Sequence, residues 1–133
     1  MANCAISPNH YKGRKHECRE FTAHLNFNLG NAFKYLWRWR DKNGVEDLEK
    51  AYTYIGFEME SNAPRLKLDY QTWDKADKSL SECGFDDETK NALSLILLIA
   101  HNGKNHEKEV IYCNRVRDYI AAKITEMKIK NGY

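Results

Sequence analysis

The stretch F27-N-L-G-N-A-F-K-Y-L-W-R-W-R-D-K-N-G44 combines a Gly-Asn pair, two tryptophans and four cations within eighteen residues. Placed on a helix from about Leu29 to Arg40 at ~100° per residue, it splits into two faces. Leu29, Ala32, Phe33 and Leu36 share one face with Trp37 at its edge, and Asn31, Lys34, Tyr35 and Arg38 share the other. "DKNG" (41–44) is a strong turn signal, so the helix stops there. The next stretch, "GVEDLEKAYTYIGFEME" (44–60), repeats the design. Val45, Leu48, Tyr52, Ile55 and Met59 form its apolar stripe, and Asp47, Lys50, Tyr54 and Glu58 lie on another face. A turn this short makes the two an antiparallel helical hairpin whose polar faces flank one groove.

Helical periodicity continues outward from the hairpin, and no alternating strand pattern occurs. Residues 1–15 read as an irregular arm punctuated by Pro8 and Gly13, and His16 to Leu25 as a short helix broken by "NFN" (26–28). Further helices are expected from Leu66 to Cys83, across "DDETKNALSLILLIAHNG" (86–103), and from Glu107 to Lys130. The fifth is apolar around most of its circumference between Leu93 and Ala100, so it is expected at the centre. The fold class is therefore all-α, a compact bundle of about six helices. "SNAPRLK" (61–67) is the expected seam between an N-terminal module, 1–64, and a C-terminal helical lobe, 65–133, packed on it, the alternative being one continuous domain.

Composition sets the outer limits. The chain has 133 residues, 42% hydrophobic and 30% charged, with a net charge of +2. That near-neutral charge argues against an extended nucleic-acid track, so an anion site has to be local. The longest strongly apolar run, "LSLILLIA" (93–100), is far shorter than the ~20 residues that span a bilayer. The first residues lack the basic start and apolar core of a signal peptide, so a cytoplasmic protein is expected. Cys4, Cys18, Cys83 and Cys113 are scattered and expected as free thiols. No metal site is expected, because the His and Cys spacings fit no standard ligand set.

The polar face of the first hairpin helix suits phosphate oxygens, with Arg38 as a planar fork and Lys34 as a point charge. Gly30, near the helix N-terminus, would let an anion approach free backbone N–H groups. Asp47 is placed to orient Lys50 or Arg38. Trp39 and Arg40 fit neither face and are expected to cover the next helix or a subunit contact, a class of surface where Trp and Arg are enriched, and Trp37 or Trp39 is expected near such a contact in a homo-oligomer. No G-x-x-x-x-G-K-[ST] occurs, which excludes an ordinary P-loop kinase.

Three motifs carry a family resemblance. They are P-x-H-Y (Pro8, His10, Tyr11), F-x-x-G-N-x-x-K-Y-x-x-R (Phe27 to Arg38) with a nearby Lys42, and D-L-x-K-A-x-x-Y (Asp47 to Tyr54). Together they resemble a small phage-encoded domain family. One branch of it, in T7-like phages, is a nucleotide kinase acting on deoxynucleoside monophosphates. The resemblance covers about residues 8–56. It implies an α-helical, oligomeric nucleotide-handling protein acting in the cytoplasm of an infected bacterium. His10, Tyr11, Gly30, Asn31, Lys34, Tyr35, Arg38, Asp47 and Lys50 are then its phosphate- and substrate-binding residues. The expected function is a non-P-loop nucleotide kinase, with Mg²⁺ accompanying the nucleotide. Two other functions fit the same residues: a sponge that sequesters a nucleotide immune signal, and a host-protein inhibitor or nucleic-acid accessory factor. The chain departs from the kinase branch by lacking its long Cys-rich N-terminal extension and by carrying residues 65–133.

Overall fold

A computed structural model describes residues 14–132, and these form six helices with no strand among them. His10 and Tyr11 lie outside the described residues. The helices are α1 (Arg19–Thr22), α2 (Phe27–Arg38), α3 (Val45–Glu60), α4 (Tyr70–Ser81), α5 (Asp87–His101) and α6 (His106–Lys130). The bundle is built on α2 against α3, α3 against α6, α6 against α5, and α5 against both α2 and α4. The expected all-α bundle is the observed architecture.

Asparagine and aspartate side chains set four of the starts. Asn26, Asp69, Asp86 and Asn105 each accept from the backbone N–H three residues on, the hydrogen bond that satisfies an otherwise orphan donor in a first helical turn. Asn26 therefore begins α2 two residues before the periodicity alone suggests, and "NFN" is a cap rather than only a break. The first helix is shorter than expected. Beyond Thr22 the chain closes i→i+3 turns, His24 N–H to Phe21 O and Leu25 N–H to Thr22 O, and leaves the α-helical path. Helix α4 starts at Tyr70 rather than Leu66, because residues 65–68 run along the end of α5, with Leu68 N–H donating to Ala100 O.

Two glycines mark tight turns. Gly44, with φ +56°, enters α3 from the hairpin turn in a conformation that a side chain would strain. Gly103, with φ +62°, follows α5, and a β-carbon there would lie in contact with Lys67 Cβ at 3.4 Å and Arg65 O at 3.7 Å. The α5–α6 turn and the 65–67 segment therefore meet backbone to backbone.

One apolar core runs through all six helices. Leu29, Phe33, Leu36 and Leu48 meet Leu93, Ile96, Leu97, Val116 and Ile120, all fully buried. Helix α5 touches α2, α4 and α6, which explains why it is apolar on most sides. Trp37 and Trp39 are 3% and 2% exposed, packed inside the protomer, so the expectation that they form a subunit contact is corrected. Arg40 lies over the Trp39 ring at 4.3 Å and pairs with Asp86 at the start of α5. Cys18, Cys83 and Cys113 are buried. No helix among the described residues is long and apolar enough to cross a membrane.

Candidate functional site

Helices α2 and α3 lie side by side, and four of the expected residues converge where their polar faces meet. The centre is the Tyr35 ring. Lys34 Nζ lies 4.5 Å from its centroid, Arg38 Cζ 4.9 Å and Lys50 Nζ 5.4 Å, so three cations gather about one aromatic ring. A ring quadrupole attracts each of them and partly offsets their mutual repulsion. Tyr35 stacks on Tyr54 of α3, centroids 6.0 Å apart and planes 16° from parallel. Tyr54 in turn takes the edges of Phe27 at 5.9 Å and Phe57 at 5.7 Å. Phe27 is 73% exposed and Phe57 49%, unusual for large apolar rings. The result is an open aromatic strip with a cationic end. Beside it, Glu46, Glu49, Lys50, Thr53, Tyr54 and Phe57 line a hollow of about 310 Å³.

Two of these three cations, Lys50 and Arg38, also pair with carboxylates. Lys50 is half-buried and pairs with Glu46 at 3.0 Å, an i, i+4 contact on α3, and that hydrogen bond raises its pKa above the ordinary lysine value. Arg38 is fixed to Asp47. Its Nε donates to both carboxylate oxygens at 3.3 Å and its Nη2 to Oδ1 at 3.2 Å, while Asn43 N–H donates to Oδ2 at 3.2 Å. Asp47 is 0% exposed. The choice left open by the sequence, Lys50 or Arg38, falls to Arg38.

Three expectations need correction. Asp47 and Glu58 were placed on a polar face, and both are buried, because α3 lies between α2 and α6 and so hides a wider arc than one stripe. Gly30 does not sit at an open helix terminus. Its N–H is bonded to Asn26 O at 2.8 Å, and its missing side chain faces Thr22 and Leu25 at 3.9 Å. Asn31 uses its amide within its own helix, donating to Phe27 O at 2.8 Å.

Periodicity does not reveal the most extensive polar network among the described residues. Glu58, near the end of α3, accepts from Asn26 Nδ2 at 3.0 and 3.1 Å, from Asn28 Nδ2 at 3.3 Å, and from Arg65 Nη1. Arg65 Nη2 also donates to Glu109 at 2.7 Å and to Gly103 O at 2.6 Å. Lys104 Nζ bridges Glu109 at 3.1 Å and Glu58 O at 3.2 Å. The one available sequence signal was Arg65 itself, a cation in a segment with no helical face to occupy.

Among the described residues no group of three or more His, Cys, Asp or Glu side chains is arranged to hold a metal ion. Near the cations, Asp47 is committed to Arg38 and Glu46 to Lys50, a donor set that does not fit a protein-held Mg²⁺.

Comparison with known proteins adds one finding. Neither a curated protein nor a solved structure matches the chain. A family described only as a protein of unknown function, DUF3310, matches residues 6–56, less than half of the chain, a stretch that holds the P-x-H-Y motif, α1, α2 and most of α3.

Proposed function

We propose that the α2–α3 face binds a nucleotide, with phosphate on Lys34, Lys50 and the outer edge of Arg38 and the base against the exposed aromatic strip. The observation that supports this reading is the gathering of three cations around the Tyr35 ring, continuous with Tyr54, Phe27 and Phe57. A charge-assisted hydrogen bond is worth roughly 1.5–3 kcal/mol, and stacking a base on an aromatic ring roughly 1–3 kcal/mol. In line with the family resemblance, the proposed reaction is phosphoryl transfer to a nucleoside monophosphate in the cytoplasm of an infected bacterium. Protein-side help would come from cations that hold and neutralise phosphate oxygens, and any Mg²⁺ would be carried by the nucleotide's own phosphates.

A specific observation favours sequestration as the second reading. The carboxylates in contact with the cations, Asp47 and Glu46, are both held in ion pairs, so neither stands ready as a general base. A binding protein needs no such base.

The test is a mass-spectrometric survey of nucleotides retained by the purified protein, followed by incubation with nucleoside mono- and triphosphates and Mg²⁺. New di- or triphosphate products support the kinase. A retained nucleotide recovered unchanged supports sequestration. Neither retention nor turnover rejects the nucleotide reading. A homo-oligomer is also proposed, in which a neighbouring protomer packs beside the exposed Phe27 and Phe57 and completes the pocket for the base. Light scattering that gives a strict 15.6 kDa monomer would remove it.

A further inference from the structure

We infer that Glu58 is a positioning residue for the nucleotide face, and that the C-terminal half of the chain holds it in that role through Arg65. The inference rests on the nucleotide reading for its consequence, but its structural half can be tested without a ligand.

Phe27, the most exposed ring of the strip, is the first residue of α2, and its ring contact among the described residues is the edge of Tyr54. Its position therefore depends on the backbone of a first helical turn, where intrahelical hydrogen bonds are fewest. The residues on either side of it, Asn26 and Asn28, both reach to Glu58. Asn26 has two tasks. Its Oδ1 caps α2 by accepting from Leu29 N–H at 2.9 Å, while its Nδ2 donates to Glu58. Glu58 belongs to α3, the helix that also carries Tyr54 and Phe57, so its bonds to Asn26 and Asn28 tie the start of α2 and Phe27 to the helix that bears the other rings of the strip.

A buried carboxylate needs a buried counter-charge. Arg65 supplies it, and the fork of Arg65 continues to Glu109 of α6 and to the α5–α6 turn at Gly103 O. Lys104 closes the circuit back to the Glu58 carbonyl. Residues 58, 65, 104 and 109 all lie beyond the stretch matched by the family, which ends at residue 56. The lobe that the motifs do not reach thus fixes the geometry of the face that they build.

Two variants test this in the full chain, with 4-fluorophenylalanine at position 27 as a fluorine NMR probe. Asn26→Ser keeps a capping oxygen and drops the amide donor, leaving the Glu58–Arg65 pair untouched, so the fold survives. Arg65→Lys keeps the charge but cannot bridge two carboxylates and a carbonyl as a planar fork does. We expect both to shift or broaden the fluorine resonance and to weaken binding of the nucleotide retained by the wild type about fivefold or more, the lower end of usual site-to-site couplings. Asn26→Asp separates positioning from capping. Asp caps as well as Asn, yet its carboxylate would face Glu58, so affinity should fall further than in Asn26→Ser while the cap is kept. If Asn26 is only a cap, Ser and Asp leave affinity and fluorine signal at wild-type values, and the inference falls. If Arg65→Lys alone is silent, the C-terminal half of it falls. If the wild type binds no nucleotide, the nucleotide reading fails, and the fluorine resonance of Asn26→Ser decides the positioning role alone.

Discussion

Arg38→Ala separates two roles of one side chain. Read from the sequence, Arg38 belongs to a solvent-facing, phosphate-binding set, and its truncation would cost affinity without cost to folding. The structure shows that it is also the counter-charge of Asp47, whose carboxylate is 0% exposed and otherwise receives the Asn43 N–H. Truncation would leave a buried, singly hydrogen-bonded carboxylate, a lesion worth about 3–5 kcal/mol in fully buried pairs. Arg38 itself is 22% exposed on its side chain, so water can enter along the path it vacates, and a loss near 3 kcal/mol is the working value. For a chain of this size each kcal/mol moves Tm by about 3–5 °C, so a drop on the order of 10 °C is expected by calorimetry or circular dichroism. Adding Asp47→Asn removes the orphan charge while keeping an acceptor for Asn43 N–H. The double variant should recover about half of the loss, with coupling between the sites on the order of 1–3 kcal/mol. Wild-type Tm in Arg38→Ala, or strictly additive effects in the cycle, would refute the claim that Asp47 depends on Arg38.

Lys34→Ala and Lys50→Ala should weaken nucleotide binding about tenfold each, the loss of one charge-assisted contact, with Tm within about 2 °C of wild type because both ammonium groups reach solvent; calorimetric titration beside thermal melting checks both. Gly30→Ala should raise stability by about 0.5–1 kcal/mol, since its methyl meets Thr22 and Leu25 at ordinary contact distance within a helix and away from the aromatic strip; a lowered Tm or impaired binding would contradict this placement. His16 bonds Glu82 at 2.9 Å and Glu20 at 3.2 Å, and the Glu82 bond raises the imidazole pKa while both carboxylates are lowered. The His16 contribution is complete below the ordinary imidazole value of 6.5 and is lost as pH rises through the raised value; the carboxylate contributions are complete above 4.5 and are lost as pH falls. This clasp between the 14–18 segment and the end of α4 should therefore be tightest between those values, and Glu82→Gln should lower the His16 pKa seen by NMR titration.

What was legible in the sequence was local. Residues 27–60 announced a hairpin because the spacing of Leu29, Phe33 and Leu36, then of Leu48 and Ile55, is set within each helix, and because "DKNG" ends one helix by its own turn chemistry. The convergence of Lys34, Tyr35, Arg38 and Lys50 followed from the same hairpin, since a short turn leaves two helices few ways to lie against each other. The central place of α5 could be read from an apolar circumference that water would not tolerate.

Only the tertiary structure decided which polar groups are buried. Periodicity gives the direction of each side chain around its own helix axis, but not the number of neighbours that surround that axis. Helix α3 meets α2 on one side and α6 on the other, and that second contact turned Asp47 and Glu58 from surface groups into buried carboxylates needing counter-charges. The counter-charge of Glu58 came from Arg65 in a loop, and that of Arg65 came again from Glu109, 44 residues further on. Trp37 and Trp39, ambiguous between core and interface by composition, were assigned to the core by Phe21, Phe33 and Phe85 around Trp37 and by the burial of Trp39 beneath Arg40. Ion pairs between distant segments leave no periodic trace, because the attraction that selects them acts only after the chain has brought the charges together and taken them out of water.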